Sequence, residues 1–387
     1  WENISASSDG TKLAATVSGG RAYVSTDSGV TWVERTSSPV NESAITMSSD
    51  GTKLAATVSG GYIYTSTDSG VTWTEQSGSP IGTHSAAASS DGTKLAVVGF
   101  GVGGSIYTSS NSGVNWVLRN AAGQRLWRSI DISSDGSTLI AADGGGSIYV
   151  SEDSGATWTA QTGPGTSEWM DVTISSGGTK LAAIESTVGE GYVHTASIPV
   201  SAPSPVILIP LPNITYGSQA APHTEWSINW DISEVCEYSY DGVSYMTVAC
   251  SNNGSDILEP QSRGAQTLYV RGTNGLGSTV VSTAFSYNGS LWVQQTSAGT
   301  RTWLNIAGSD DGMKLVVTGQ NTNIYTSSDS GYTWTQRSGP GVHEWSALMS
   351  SADGMKLVAA WTEGDIVSSK IHTSSDGGVN WTEQTGF

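Results

Sequence analysis

An eight-residue pattern, Ser-x-Asp-x-Gly-x-x-Trp, recurs along the chain and constrains its fold more than any other feature. The six copies end at Trp32, Trp73, Trp116, Trp158, Trp334 and Trp381. Their acidic or amide position is occupied by Asp27, Asp68, Asn111, Asp153, Asp329 and Asp376. A side-chain oxygen at this position can accept backbone N–H bonds inside a tight turn, and the Trp can pack beneath the turn. The pattern therefore predicts a repeated turn between two antiparallel strands.

The spacing of the pattern predicts how many strands each repeat contains. Successive copies lie 41 to 47 residues apart, except for one long gap between Trp158 and Trp334. A period of this length is typical of a four-stranded propeller blade. Within each repeat, the alternation seen in Tyr62-Ile63-Tyr64 and the flanking turn residues predict short strands. Trp292 continues the series inside the gap, so the sequence predicts an all-β chain with seven four-stranded repeats.

These octapeptides resemble the Asp-box, or BNR, repeats of sialidase-type β-propellers. The resemblance implies a seven-bladed β-propeller of antiparallel blades, in which the six acidic or amide residues have a structural role. It also implies that a ligand would bind on the face opposite the octapeptide turns. No strand is left over to complete a shared blade. We therefore expect the ring to close through side-chain packing between the first and last blades.

The long gap predicts an insertion in the fifth repeat. The predicted limits are 1–197 for the first propeller segment, 198–288 for the insert and 289–387 for the rest of the propeller. The insert begins with a Pro-rich stretch and continues with short β-rich runs. Its residues around Cys236, Cys250 and 264–274 resemble bacterial-type Ig-like modules of large secreted proteins. That resemblance implies a small β-sandwich with a Cys236–Cys250 disulfide, whereas two buried free thiols are the alternative that the residues alone leave open.

Composition narrows the range of partners. The net charge of −18 argues against nucleic acid or an anionic membrane surface as a partner, although part of it comes from the repeated turn aspartates. No apolar run reaches the length of a membrane helix. The first residue, Trp1, and six Asn-x-Ser/Thr sequons suit a secreted or cell-surface protein. We expect its partner to be a glycan or a protein on the cell surface or in the extracellular matrix, or further copies of the chain.

The strongest candidate binding residues lie in the loops that lead into the first strand of each repeat. Five of these leading loops carry a tryptophan eight residues before the next turn: Trp1, Trp127, Trp169, Trp303 and Trp345. Polar residues such as His343 and Glu344 flank them. An exposed indole beside polar groups can stack on a sugar ring. The alternative, which we favour for any single Trp, is that each one packs between blades as part of the repeat.

The loops between second and third strands differ more from repeat to repeat, and variable loops on a rigid scaffold often carry function. The longest, in the seventh repeat, contains Trp361, Glu363 and Asp365. An aromatic ring with two carboxylates could hold a sugar or a calcium ion, and a solvated loop is the plainer interpretation. No other cofactor is indicated, because no His or Cys cluster has metal-ligand spacing.

Catalytic residues of sialidases are not evident. The chain has no Arg-Ile-Pro motif and no arginine set suited to a carboxylate substrate. Two facing carboxylates would suffice for another glycosidase, yet nothing in the spacing of Glu168, Glu344, Glu363 and Asp365 selects a pair. Three hypotheses follow, in this order: a non-catalytic extracellular binding or adhesion protein, a structural subunit of a cell-surface or extracellular assembly, and a sialidase-like glycoside hydrolase.

Overall fold

The structure is a computed structural model that describes residues 1–99, 103–161, 163–186, 190–197, 235–239, 246–248, 264–274, 277–287, 292–363 and 365–385. Within 235–287 and 362–369, it describes the backbone alone. The chain divides into two compact units, Trp1–Ala196 with Trp292–Phe387, and Ser197–Leu291. The sequence predicts the limits of the second unit at 198 and 288.

The first unit is built from antiparallel sheets of four short strands. Sheet 1 contains β1 (Asn3–Ala6), β2 (Leu13–Thr16), β3 (Tyr23–Ser25) and β4 (Val33–Glu34). Sheet 2 contains β5 (Glu42–Met47), β6 (Leu54–Val58), β7 (Ile63–Ser66) and β8 (Thr74–Gln76). Sheet 3 contains β9 (Thr83–Ala88), β10 (Leu95–Gly99), β11 (Ile106–Ser109) and β12 (Val117–Arg119), and is followed by a short 3-10 turn, Asn120–Ala122. In each sheet the strands are hydrogen-bonded in chain order.

The next two sheets are joined edge to edge. Sheet 4 contains β13 (Trp127–Ile132), β14 (Leu139–Gly146), β15 (Ile148–Ser151) and β16 (Thr159–Gln161). Sheet 5 contains β17 (Ser167–Ile174), β18 (Lys180–Glu185), β19 (Val193–Ser197) and β24 (Val293–Gln295). β14 extends far enough to pair with the start of β17, so the two sheets form one eight-stranded sheet. The second unit lies in the chain between β19 and β24, which pair directly.

The last two sheets return to the simple pattern. Sheet 6 contains β25 (Trp303–Gly308), β26 (Leu315–Gly319), β27 (Ile324–Ser327) and β28 (Thr335–Arg337). Sheet 7 contains β29 (Trp345–Ser350), β30 (Leu357–Glu363), β31 (Asp365–Ser374) and β32 (Thr382–Gln384). The second strands are the most apolar, as in the fully buried Leu-Ala-Ala-Thr of β2. The core therefore lies between neighbouring sheets, with the short fourth strands outermost.

The sheets close into a circle through their first strands and the turns that follow. Each first strand contacts the next around the ring, and β29 contacts β1. In the turn between first and second strands, one backbone N–H donates to the carbonyl of the next turn at 2.7 to 2.9 Å. The donors and acceptors run Ser8 to Ser49, Ser49 to Ser90, Ser90 to Ser134, Ser134 to Ser176, Ser176 to Asp310, Asp310 to Ala352, and Ala352 back to Ser8. A closed ring of antiparallel four-stranded sheets is a β-propeller.

Lysines reinforce the circle beside these turns. Four ammonium groups donate to a carbonyl oxygen in the turn of the following sheet at 2.5 to 2.9 Å: Lys12 to Asp50, Lys53 to Asp91, Lys94 to Asp135 and Lys314 to Asp353. At the point of closure, the Lys356 side chain of sheet 7 lies against Gly10 of sheet 1, and its ammonium donates to the Ser28 hydroxyl at 3.3 Å. The expected closure by side-chain packing alone is therefore incomplete, because backbone hydrogen bonds also cross it.

The octapeptide turns join third and fourth strands, and Asp68 illustrates their structure. Its carboxylate accepts the Thr72 N–H at 2.8 Å, the Thr72 hydroxyl at 2.7 Å and the Ser66 hydroxyl at 2.8 Å. These bonds lower the pKa of Asp68 to about 2. The Trp73 indole N–H donates to the Gly70 carbonyl at 3.0 Å. The other five copies bind the equivalent backbone N–H in the same way.

The second unit contains β20 (Val235–Ser239), β21 (Met246–Val248), β22 (Gly264–Asn274) and β23 (Gly277–Tyr287). These strands form one antiparallel sheet in the order β21-β20-β22-β23. Cys236 lies in β20, but Cys250 is outside the described residues, so the disulfide stays a prediction. Among the described residues of the whole chain, no helix is long and apolar enough to span a membrane.

Candidate functional site

The two ends of the ring carry different loops, because antiparallel strands alternate in direction. The octapeptide end carries the octapeptide turns and the turns between first and second strands. The opposite end carries the leading loops and the loops between second and third strands. At the opposite end, isolated bridges join loops of adjacent sheets: Gly104 with Arg125, Gly191 with Arg301 and Thr322 with His343. This pairing makes the opposite end a fixed surface rather than a set of independent loops.

The five leading-loop tryptophans do not form a surface. Trp127, Trp169, Trp303 and Trp345 are 0% exposed and Trp1 is 9% exposed. Trp127 packs edge-on against Tyr149 with ring centroids 5.3 Å apart, and Trp303 packs in the same way against Tyr325. The expected arc of sugar-stacking indoles is therefore corrected to the packing alternative. The physical reason is that each indole fills the space over the third strand of its own sheet.

Glu42 occupies the same position in sheet 2, and it too is buried, at 1% exposed. Burial raises the pKa of Glu42 to about 7, against opposing contributions from the Ser38 hydroxyl, the Ala22 N–H and the Arg21 guanidinium. A carboxyl group in the place of an indole makes this part of sheet 2 sensitive to pH near neutrality. Its burial keeps it from acting on a ligand at the surface.

The candidate residues of sheet 7 are brought together only in part. The His343 ring stacks on the Trp361 ring at 3.9 Å with an interplanar angle of 8°. Trp361 is 9% exposed, and His343 Nε2 donates to the Pro340 carbonyl at 2.8 Å, so both rings serve packing. Glu344 is exposed. The side chains of Glu363 and Asp365 lie outside the described ones, so a sugar or calcium site in that loop stays a prediction.

Three residues with nitrogen-bearing side chains in the leading loops share one local role. Arg125, Arg301 and His343 each donate to the carbonyl three residues earlier, in Ala122, Ala298 and Pro340. The two guanidinium groups also lie over third-strand tyrosines, with Arg125 4.5 Å from the Tyr149 ring centre and Arg301 4.4 Å from that of Tyr325. These contacts fix the shape of the leading loops. They leave little of each guanidinium for a substrate carboxylate.

A patch of mixed charge lies where sheets 4 and 5 join at the opposite end. We call it the 4/5 patch, and it contains Arg125, Arg128, Asp143 and Glu168. Arg125 Nη1 lies 3.3 Å from Asp143 Oδ2, and Glu168 is exposed in the strand pairing opposite Gly144. Arg128 lies across Gly144, with Nε 2.8 Å from where a Cβ would be. The long β14 creates this patch: the equivalent residues of sheets 1 and 2 are equal in number, but they form a turn where β14 continues as a strand.

Electrostatics within the 4/5 patch favour recognition over catalysis. Burial raises the pKa of Asp143, and the nearby charge of Glu168 adds to that rise, while Arg125 opposes it. A glycosidase acid needs a raised pKa, but it must also reach the substrate. Asp143 is only 6% exposed, and its Oδ2 lies 2.0 Å from the position of a Cβ on Gly146. The Gly146 backbone therefore covers this carboxylate.

A buried polar trio lies beneath the same end in sheet 5. The Ser167 hydroxyl donates to Glu185 Oε2 at 2.5 Å, and His194 Nε2 lies 3.1 Å from Glu185 Oε1. The carboxylate stands between the hydroxyl and the imidazole, so the imidazole does not face the serine as it does in a Ser-His-Asp triad. Burial lowers the pKa of His194, although Glu185 opposes this. The trio is a structural network.

Two acidic residues of the innermost strands were not singled out by the sequence pattern. Asp131 Oδ2 accepts the Ile174 N–H at 2.9 Å, and Asp171 Oδ2 accepts the Ile306 N–H at 2.9 Å. Burial raises the pKa of each to about 6. Both bonds join one sheet to the next, at the two sides of sheet 5. An acid flanked on both sides by apolar residues in a first strand, as in Ile130-Asp131-Ile132 and Met170-Asp171-Val172, is the sequence signal that would have identified them.

No metal centre is present among the residues whose side chains are described, since no three His, Cys, Asp or Glu side chains gather there. The chemistry that the described surface offers is therefore charge pairing and hydrogen bonding. Its exposed members at the opposite end include Glu168 and Glu344. Of the four carboxylates considered for a glycosidase, the two whose side chains are described, Glu168 and Glu344, belong to different sheets, 5 and 7.

Comparisons with known proteins support the fold alone. No family model matches the chain, and no curated protein matches it. Among solved structures, the Myceliophteria thermophila Cps50 (Swd1) β-propeller domain is similar with a TM-score of 0.59 at 10% identity, covering 97% of this chain and 96% of that one. YCF48 bound to D1 peptide is similar with a TM-score of 0.52 at 13% identity, covering 94% and 90%.

A third similar structure is an enzyme. The GH74 xyloglucanase from Xanthomonas campestris has a TM-score of 0.44 at 14% identity, and the match covers 99% of this chain and 64% of that one. The chain thus spans less than two thirds of the length of that enzyme. The two neighbours with TM-scores above 0.5 support a β-propeller fold for the first unit.

Proposed function

We propose that this protein is a non-catalytic binding propeller of seven blades, with BNR-type repeats and an inserted Ig-like module. Sheets 1 to 7 would be the seven blades. Two features support that number: the turn hydrogen bonds run through seven positions before they return to Ser8, and the lysine contacts follow the same order. The octapeptide turns would then be structural clasps at the end away from the ligand.

The contact surface that we propose is the opposite end, around the 4/5 patch. The observation that carries this proposal is the blade-to-blade variation opposite the buried leading-loop position. The second-strand residue that pairs with this position differs from sheet to sheet. In sheets 2 to 7 it is Val58, Gly99, Asp143, Glu185, Gly319 and Trp361. A rigid frame with local variation at one end is how propellers and other scaffolds build recognition sites.

A protein partner is favoured over a glycan. The five tryptophans that would have supplied indole faces are buried. What the opposite end exposes instead is charge of both signs together with apolar residues such as Val342, which is 57% exposed. Opposite charges arranged around apolar contacts are typical of protein interfaces. We further propose that the protein is secreted or displayed at a cell surface, where its insert would act as a spacer or second contact.

Site-specific crosslinking tests the surface. A photo-crosslinking amino acid placed at Glu168 or at Glu344 samples the opposite end, and one placed at Thr67 samples the octapeptide end in a comparably exposed position. In the cells that produce the protein, we expect one defined adduct from positions 168 and 344 and none from position 67. Adducts from position 67 alone would contradict the proposed surface. Turnover of sialosides or xyloglucan by the purified protein would contradict the absence of catalysis.

A structural subunit is the second candidate, and one observation favours it. The outer edge strand β12 exposes Val117 at 50% and Leu118 at 44%. An exposed apolar edge can pair with another chain, which natural proteins usually avoid. Sedimentation of the wild type and of Leu118→Lys would decide: concentration-dependent assembly that the substitution abolishes supports a subunit, and a monomer at high concentration excludes it.

A further inference from the structure

A cleft lies between sheets 6 and 7, and it is larger than the corresponding space between sheets 2 and 3. It has a volume of about 200 Å³ and opens at the octapeptide end. Its lining includes Lys314, Thr326, Thr335, Arg337, Gly377 and Val379, and also Asp376, whose carboxylate accepts the Ser374 hydroxyl and the backbone and side-chain N–H groups of Asn380. The corresponding space between sheets 2 and 3, lined by Lys53, Thr65 and Ser112 among others, has a volume of about 20 Å³. Because the junctions are repeats of one design, the difference must come from the residues that differ.

Gly377 is the first difference. The residue between the acidic position and the glycine of the turn is serine in five copies, Ser28, Ser69, Ser112, Ser154 and Ser330, each with φ between 56° and 60°. In the seventh copy it is Gly377, with φ of 69°. A Cβ there would meet nothing closer than 3.7 Å, so a serine would fit. The missing side chain therefore leaves space that the other turns fill.

The loss of this serine also changes the neighbouring lysine. At other junctions the lysine of the preceding sheet reaches the turn serine, as in Lys356 to Ser28 at 3.3 Å and Lys180 to Ser330 at 3.3 Å. Lys314 has no such serine. Its ammonium donates to the Asp353 carbonyl at 2.5 Å and lies 3.3 Å from the Met355 sulfur. An ammonium carries three donors, so Lys314 retains capacity for a ligand.

Arg337 is the second difference. Its Nε donates to Thr326 Oγ1 at 2.8 Å. Glutamines of other sheets, such as Gln76 and Gln384, make the equivalent bond to a third-strand threonine at 2.7 Å. The arginine therefore satisfies the structural role with Nε and keeps its two terminal nitrogens for a planar acceptor. Arg119 makes the same bond in sheet 3, but there the following turn has Ser154 rather than glycine.

We propose that the cleft between sheets 6 and 7 binds a small hydroxylated carboxylate, of about the size of one hexuronate. Arg337 would pair with the carboxylate in a bidentate manner, and Lys314 would add a second positive charge. The threonine hydroxyl of residue 335 offers hydrogen bonds to ligand hydroxyls, while Val379 and Met355 offer apolar contact to the C–H face of a ring. A cavity of about 150 Å³ accommodates benzene in another protein, so this volume suits one sugar ring.

This site lies at the end of the ring away from the 4/5 patch, so it stands apart from the proposed function. The same chemistry could come from a free sugar acid or from the terminal residue of a glycan. The test therefore uses two probes, sodium glucuronate and a tetrasaccharide with a terminal glucuronate. Glucose, which lacks the carboxylate, serves as the uncharged control.

The experiment measures binding of these probes to the full chain by saturation-transfer NMR and calorimetry. Two variants replace a residue of the cleft with the residue found at the same position in other repeats. They are Arg337→Gln, as in sheet 2, and Gly377→Ser, as in five other turns. Arg119→Gln is the matched control, because it makes the same change at a junction without the cleft. Denaturation midpoints of all three variants establish that each remains folded.

We expect weak, millimolar binding of glucuronate by the wild type and by Arg119→Gln, as suits a ligand of this size. Arg337→Gln and Gly377→Ser should each weaken it about tenfold, since one removes a charge-assisted pair and the other fills the cleft. Binding of the tetrasaccharide as well would identify a glycan end as the source, and binding of glucuronate alone a free acid. No binding by the wild type, equal binding of glucose, or equal loss in Arg119→Gln would overturn the proposal.

Discussion

The backbone N–H of Ala352 donates to the carbonyl oxygen of Ser8 at 2.8 Å, although 344 positions of sequence separate the two residues. This bond is the last of the circle of turn hydrogen bonds, and it joins sheet 7 to sheet 1. Each turn contributes one donor and one acceptor, so every bond runs from one sheet to the next in the same sense around the ring, and the series returns to its first turn. The ring is thus closed by backbone groups as well as by side chains.

Gly51 tests how closely neighbouring sheets are packed at these turns. A Cβ on Gly51 would lie 2.7 Å from Lys12 Cδ, whereas one on Gly60 would meet nothing within 4 Å. Both glycines have positive φ, 65° and 70°, so alanine costs about 1 kcal/mol of unfolding free energy at either position. We expect Gly51→Ala to lose clearly more than Gly60→Ala in chemical denaturation. Equal losses would mean that the lysine moves aside without cost.

The Asp68 carboxylate should stabilise its turn by hydrogen bonding rather than by charge. Asp68→Ala leaves the Thr72 N–H and the Ser66 hydroxyl without their acceptor, and we expect a loss of about 1 kcal/mol, because the turn is exposed to water. Asp68→Asn should cost less, since Asn111 already binds the Asn115 N–H at 2.8 Å. Urea denaturation of the two variants measures the difference. If Asp68→Asn lost as much unfolding free energy as Asp68→Ala, the effect would come from charge instead.

Stability should be greatest in mildly acidic solution. Asp131 and Asp171, with pKa values raised to about 6 by burial, stabilise the fold below the ordinary aspartate pKa, and that contribution is lost as the pH rises through 6. Asp9, Asp50 and Asp91, with pKa values lowered to about 2 by hydrogen bonds, stabilise it above their ordinary pKa and lose this as the pH falls toward 2.

We therefore expect the melting temperature to peak near pH 4 and to fall between about pH 4 and 8. Glu42, with its pKa raised to about 7, should account for the later part of that fall. Calorimetric scans of the wild type and of Glu42→Gln across this range provide the measurement. The glutamine variant should lose less stability between pH 6 and 8, and identical profiles for the two proteins would contradict the assignment.

Trp345 should behave as a core residue. It is 0% exposed, and its indole N–H donates to the Thr322 carbonyl at 2.9 Å. We expect Trp345→Ala to lower the unfolding free energy by about 3 to 5 kcal/mol. Tyr62→Ala, at an aromatic residue that is 39% exposed at the same end, should cost much less. Chemical denaturation compares the two, and a stable Trp345→Ala protein with altered ligand binding would restore the surface interpretation.

The repeat made the fold predictable and the site much less so. Asp68 and Trp73 recur at fixed spacing, and the turn that they form follows from local hydrogen bonding, so sequence was enough. Trp345 and Trp127 also recur, yet their burial depends on what covers them. The third-strand residues Tyr149 and His372 and the paired loops of adjacent sheets provide that cover. Periodicity by itself cannot distinguish an indole in the core from one on a surface.

The 4/5 patch and the cleft between sheets 6 and 7 arise from departures from the repeat. The patch forms because β14 is extended by Gly144 and Gly146 until it pairs with β17. The cleft forms because Gly377 lacks a side chain beside Arg337. Each departure is visible in an alignment of the repeats with one another, but its meaning depends on which sheets become neighbours. Asp131 and Asp171 were missed for the same reason, since their partners lie in the next sheet.

Amide hydrogen exchange of the circle of turn hydrogen bonds tests the central claim most directly. If the ring is closed, the amides of Ser8 and Ala352 should be as strongly protected as those of Ser49, Ser90 and Ser134, because all belong to one continuous circle. Exchange would then require opening of the whole ring. Rapid exchange confined to Ala352, whose N–H is the donor between sheets 7 and 1, with Ser8 and the others protected, would show that these two sheets do not close, and would contradict the account.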